Sequence, residues 1–267
     1  VDGLSGVHAS PAPGPLLGYL VAGFVMLVVG LAVLTLRRGR LPALASPAAT
    51  RRALLYAIVF GLCSASFSRV IEGALLGRDH SPWLLALGDV MFVTLALFAW
   101  VMVLAENLKL PELGFRGGRP GQVVLATLLG LGGSALYAVG PVRALVAGHA
   151  PITSDGLVFS LLFATAGSAL PEEMLFRGFL MGSMNGRVRR WARVAVPALV
   201  FTAVRSGRFV PGASLAPAEW LFYVFGVVLP LGLWWGLMRD LAGGSLWPCL
   251  ISHAALDFCT ALAKSSP

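Results

Sequence analysis

The 267 residues include twenty Lys and Arg against twelve Asp and Glu, a formal charge of +8, yet only 12% are charged and 57% are hydrophobic. Ordinary soluble domains hold roughly 45–50% apolar residues, so a water-soluble fold could not hide this much apolar surface. The basic excess falls in short clusters between apolar runs, with no motif for groove reading or base stacking beside it; this pattern argues against a nucleic-acid binder and reads as membrane topology.

Apolar runs of about 20 residues are the unit that crosses a bilayer as a helix. Eight follow one another along the chain: Leu16–Leu36, Ala53–Leu76, Trp83–Leu104, Gln122–Ala147, Leu157–Leu180, Trp191–Arg205, Glu219–Met238 and Leu246–Leu262. Runs this continuous are helical, not alternating strands, so the expected fold is all-α, a polytopic transmembrane helical bundle of about eight spans. No Lys or Arg precedes the first run, and the run is longer than the core of a cleavable leader, so it is expected to be a retained span.

Arg37, Arg38, Arg40, Arg51 and Arg52 follow the first span, Lys109, Arg116 and Arg119 the third, and Arg187, Arg189, Arg190 and Arg193 lie around the connection from the fifth to the sixth. These alternate loops are expected to be cytoplasmic, and both termini then lie outside the cytoplasm. The Gly- and Pro-rich stretch 110–122 is the expected boundary between N-terminal spans over 1–110 and a second unit over 111–267. Neither half repeats the other, which gives no support to an inverted-repeat transporter. The segment Gly130–Gly133 suits close helix packing, and Cys63, Cys249 and Cys259 have no metal-ligand spacing and read as small buried hydrophobes.

A charge at the bilayer centre costs about 2.5–3.5 kcal/mol on insertion scales, so each needs a partner, a water-filled cavity or a function. The fifth span holds Pro171, Glu172, Glu173 and Arg177; the sixth ends on Phe201-Thr-Ala-Val-Arg205; the eighth holds His253 and Asp257. Glu173 and Arg177 are four residues apart, about 40° around a helix, and suit an internal ion pair. Glu172, about 140° from Arg177, is left to face a different neighbour. Pro171 removes a backbone donor and should open the helix just before the two acids. His253 and Asp257 share a face of the last span. Arg69 with Glu72, and Asp89 with a partner on another helix, read as structural clasps.

Glu-Glu-x-x-x-Arg at Glu172–Arg177 followed by His-x-x-x-Asp at His253–Asp257 resembles the first and last motifs of the CPBP family (CAAX-protease and bacteriocin-processing) of intramembrane glutamic proteases. The resemblance covers roughly residues 155–262 and makes 111–267 a CPBP-like protease unit, with the earlier spans as its variable part. It implies a catalytic set of Glu172, Glu173, Arg177, Arg205, His253 and Asp257. Glu172 would activate water as general base, His253 with Asp257 would cradle the oxyanion, and Glu173 with Arg177 would fix the helix. The family's middle motif ends in a histidine that assists the glutamate. Here Arg205 stands in that place; it stays protonated and cannot act as a base, but could hold Glu172 ionised or stabilise an oxyanion.

No cofactor and no metal are expected, because a catalytic zinc usually takes three protein ligands rich in His and arginine occupies the third place. The expected partners are a membrane protein or peptide substrate and the lipid bilayer. The Ala-, Gly-, Leu- and Arg-rich composition suits a GC-rich bacterial gene, hence a bacterial inner membrane and a sorting or maturation protease. A non-catalytic scaffold or immunity protein is the alternative that Arg205 raises.

Overall fold

Proline marks where several helices begin. Pro47, Pro82, Pro120 and Pro217 are each the first residue of a helix in the computed structural model, a position where the missing N–H has no partner to lose and the fixed φ already suits the helix. The structure describes residues 46–76, 82–148, 153–207 and 216–265. They form α1 (Pro47–Leu76), α2 (Pro82–Ala105), the single turn α3 (Leu110–Leu113), α4 (Pro120–Gly148), α5, α6 (Arg190–Ser206), α7 and α8 (Trp247–Ser265).

Two of these helices change pitch along their length. α5 runs through Ser154–Leu162, a π-helical Phe163–Ala169, Leu170–Glu172, a second π-helical stretch Glu173–Leu180, and Met181–Ser183. α7 runs through Pro217–Phe222, a π-helical Tyr223–Val228 and Leu229–Leu241. No strand occurs among the described residues. The protein is an all-α helical bundle, as its hydropathy implies.

The expected spans from the second to the eighth each fall on one helix, in order α1, α2, α4, α5, α6, α7 and α8. The first, Leu16–Leu36, lies outside the described residues, as do the side chains of Arg69, Glu72 and Asp89. Three stretches, Pro47–Ala65, Pro120–Arg143 and Pro217–Leu241, are long and apolar enough to cross a membrane. The helices that carry Glu172, Arg205 and His253 are not among them.

The connections that carry basic clusters meet at one end of the bundle. Arg52 Nε donates to Glu106 Oε2 at 2.6 Å, joining the start of α1 to the end of α2. Arg187 Nη1 reaches Thr50 Oγ1 at 3.3 Å, and the Thr50 hydroxyl lies 3.0 Å from that of Ser183. Arg190 and Arg193 at the start of α6 both bind Asp240 at the end of α7. Leu246 N–H donates to Gly114 O at 2.9 Å. Helices that alternate in direction through a bilayer gather these ends on one face, the arrangement that the spacing of the basic loops requires.

Between the helices the core is aromatic. Phe201 packs edge-on against Phe176 and Trp235, with centroids 5.3 and 6.0 Å away, an arrangement worth about 0.5–1.5 kcal/mol per pair beyond area burial. Small residues set the approach of α4 to α8: a Cβ at Gly130 would lie 2.2 Å from Ser252 Oγ and 3.1 Å from its Cβ. An alanine there would push apart the helix that carries His253.

Candidate active site

The opening expected before the two acids takes the form of the π-helical stretch Phe163–Ala169. Its last turn bonds Leu170 N–H to Thr165 O, five residues back. A widened turn of this kind accommodates Pro171 and re-aims the side chains beside it; such bulges recur at functional sites. Glu172 and Glu173 then leave α5 towards different helices, and both are fully buried.

Glu173 turns to α8 and along its own helix. Its Oε1 accepts from Arg177 Nη1 at 3.0 Å and from His253 Nδ1 at 2.8 Å. The expected ion pair is present, and Arg177 does more than complete it. Nη2 donates to Gly232 O on α7 at 3.1 Å, and the guanidinium carbon lies 4.3 Å over the Phe201 ring. The Arg177 carbonyl in turn accepts from Arg239, whose Nη2 also donates to Leu113 O at 3.1 Å. One buried chain of polar contacts therefore links α3, α5, α7 and α8.

Glu172 turns to α6. Arg205 grips its Oε2 with Nε at 3.0 Å and Nη2 at 2.8 Å. The same Nη2 lies 2.8 Å from His253 Nε2, 3.1 Å from Asp257 Oδ2 and 2.9 Å from Ser168 Oγ. His253 Nε2 also lies 3.2 Å from Asp257 Oδ2, so it accepts from Arg205 when bare and donates to that carboxylate when protonated. Its Nδ1 faces a carboxylate and must donate. His253 therefore has a carboxylate oxygen within reach of each ring nitrogen, Glu173 at Nδ1 and Asp257 at Nε2. The ring plane is set by Trp235, stacked on it with centroids 3.9 Å apart and 19° between planes. Trp235 is itself pinned through Nε1 to Ser134 Oγ at 3.3 Å.

The structure thus brings all six sequence-predicted residues into one connected cluster, and Arg205 sits at its middle. This bears on the oxyanion cradle expected of His253: Arg205 brings further N–H donors to the centre, beside His253 Nε2. Three carboxylates, Glu172, Glu173 and Asp257, face two guanidiniums and an imidazole. Arg205 and Asp257 form the accessible corner, their side chains 14% and 11% exposed.

Sequence reasoning missed Ser168 and Trp235. Ser168 stands one turn before Glu172, and its hydroxyl donates to Asp257 Oδ2 at 2.5 Å. The available signal was that four-residue spacing, in a stretch where small residues are common. Trp235 carried no signal, since its approach to His253 depends on how α7 packs on α8. Among the described residues no group of three His, Cys, Asp or Glu side chains is arranged to hold a metal ion; where Glu172, His253 and Asp257 converge, a guanidinium already supplies the cation.

Buried carboxylates, an imidazole and a fixed cation are brought together inside the bundle. The family model for type II CAAX prenyl endopeptidase Rce1-like proteins matches residues 154–259. That stretch runs from α5 into α8 and contains every residue of the cluster. Over this stretch the chain is similar to the Rce1-like proteins, which is consistent with a CPBP-family protease and supports a membrane endopeptidase. Neither a curated protein nor a solved structure matches the chain.

Proposed function

We propose that the chain is an intramembrane endopeptidase that cuts an apolar or lipid-modified segment of a membrane-associated protein by glutamate-activated water. Convergence of three helices on Arg205 Nη2 carries this reading: Glu172 from α5, and His253 and Asp257 from α8, all lie within 3.1 Å of it. Glu172 takes the proton of the attacking water as general base. Arg205, a fixed cation beside it, stabilises the negative charge that develops on the peptide carbonyl oxygen, where preorganised donors are most effective. Glu173 with Arg177 holds α5 in register, and Glu173 with Trp235 holds the imidazole. The protease unit is 111–267, with the spans of 1–110 beside it, in a bacterial inner membrane with both termini outside the cytoplasm. A sorting or maturation role suits such an enzyme. The decisive experiment compares wild type with Glu172→Gln on quenched peptides in detergent micelles, one set with plain apolar segments and one with an S-farnesyl cysteine.

A second reading rests on the same nitrogen. Arg205 fills the middle of the site with four acceptors around one amino group, the arrangement of a structural clasp. A non-catalytic membrane scaffold or immunity protein would need no more. It predicts that no peptide is cut and that Arg205→Ala unfolds the bundle.

A further inference from the structure

Hydroxyl side chains inside apolar helices usually satisfy themselves by bonding back to the carbonyl one turn earlier. Thr165 does so to Leu161 O at 2.7 Å, Thr202 to Ala198 O at 2.8 Å, Ser252 to Pro248 O at 2.6 Å and Thr260 to Leu256 O at 3.0 Å. Ser168 does not. It is only 2% exposed, and its Oγ makes three contacts, all with the cluster: Asp257 Oδ2 at 2.5 Å, Arg205 Nη2 at 2.9 Å and Glu172 Oε1 at 3.5 Å. The π-helical stretch that contains Ser168 is what frees it from the backbone ladder and aims it at both carboxylates. Arg205 can only donate, so Ser168 accepts there and has its single proton to offer to one carboxylate or the other.

Building on the glutamate-activated-water reading, we infer that Ser168 is a positioning and relay residue that passes a proton from Glu172 to Asp257. Water attacks the peptide carbonyl carbon and gives a proton to Glu172. The Glu172 carboxyl proton moves to Ser168 Oγ as the Ser168 hydroxyl proton moves to Asp257 Oδ2, so the serine ends as it began. Asp257 then protonates the departing amine nitrogen while the C–N bond breaks, leaving a carboxylic acid and an amine. Glu172 and Asp257 return to their starting states. The accessible corner at Asp257 places the proton donor where a substrate nitrogen can reach it, and the deeper Glu172 need not move.

The test uses whichever quenched peptide the wild type cuts fastest, with Ser168→Ala, Ser168→Thr and Ser168→Cys in full-length protein at matched levels. Ser168→Ala is expected to lower kcat about 10- to 100-fold, within the range of a general acid–base contribution, with KM within about twofold. Ser168→Thr, which keeps the hydroxyl, restores most of the rate. Rates in mixed light and heavy water should bend with deuterium fraction in the wild type, since two protons move together, and become linear in Ser168→Ala. A purely structural serine would alter yield and melting temperature and leave that curvature in place. If Ser168→Ala does not accumulate, Ser168→Cys carries the test. Wild-type kcat and curvature in the folded variant overturn the relay. Glu172→Gln separates this from failure of the underlying mechanism: an active Glu172→Gln removes the glutamate reading itself, whereas an inactive Glu172→Gln beside an unimpaired Ser168→Ala removes the relay alone.

Discussion

Arg205 Nη2 lies 2.8 Å from His253 Nε2, and because a guanidinium has no lone pair to offer, a proton on Nε2 has Asp257 Oδ2, 3.2 Å away, as its acceptor. Glu173 Oε1, 2.8 Å from Nδ1, favours a proton on that nitrogen. In protein labelled with 15N-histidine in detergent, His253 should show the pattern of a protonated Nδ1. The chain has four histidines, so loss of one signal set in His253→Asn assigns it. Arg205→Ala should release Nε2 and change that pattern. A ring with Nδ1 bare in the wild type contradicts the arrangement.

Much of this centre was legible in the sequence because its spacings are helical. Glu173 and Arg177 pair at i,i+4 as geometry requires, and the apolar runs place seven helices. Glu172 facing away from Arg177 also follows from the helical angle. What could not be read depends on contacts between helices: Arg205 reaching four residues on two helices, Trp235 stacking on the imidazole, and the π-helical stretch that aims Ser168. A serine that bonds its own backbone and one that bonds a catalytic carboxylate look the same in an apolar run. Arg205 was the ambiguous position for a related reason: its charge was certain, but its partners were set by the packing of α6 against α5 and α8.

Arg177 is fully enclosed, and its loss leaves Glu173 with the His253 imidazole as its remaining side-chain partner. Removing one partner of a buried ion pair costs about 3–5 kcal/mol, so Arg177→Ala should lower the folded yield in the membrane and the thermal midpoint in detergent. Arg177→Lys should recover little: one ammonium cannot match the planar fork that bonds Glu173 and Gly232 O while lying over Phe201. Normal accumulation and midpoint in Arg177→Ala would show that the pair is not structural.

Topology follows from the face on which the basic ends gather. Reporter fusions after Arg52, after Gly118 and within 187–190 should all report the cytoplasm. The contacts of Arg52 with Glu106 and of Arg187 with Thr50 put these connections on one side, so they must agree with one another. A periplasmic signal from one of the three would overturn the order of spans, and from all three the orientation alone.

Glu172→Gln is expected to reduce peptide cleavage at least about 100-fold, the lower bound of a general-base contribution, while leaving expression and insertion intact. The substitution keeps the shape of the side chain and can still accept from Arg205 through its amide oxygen, so the cluster should hold together. Only the capacity to take a proton is lost. Chelators should leave the wild-type rate unchanged, since the cation beside Glu172 is a guanidinium. Arg205→Ala should lose activity by a similar factor, and Arg205→His should recover part of it, because an imidazole there can again hold Glu172 and donate to the oxyanion. The measurement is the initial rate on the best quenched peptide for wild type, Glu172→Gln, Arg205→Ala and Arg205→His at matched protein levels. Full activity in Glu172→Gln sinks the glutamate base. A wild type that cuts no peptide, joined by an Arg205→Ala that fails to fold, makes Arg205 a clasp and the bundle a scaffold.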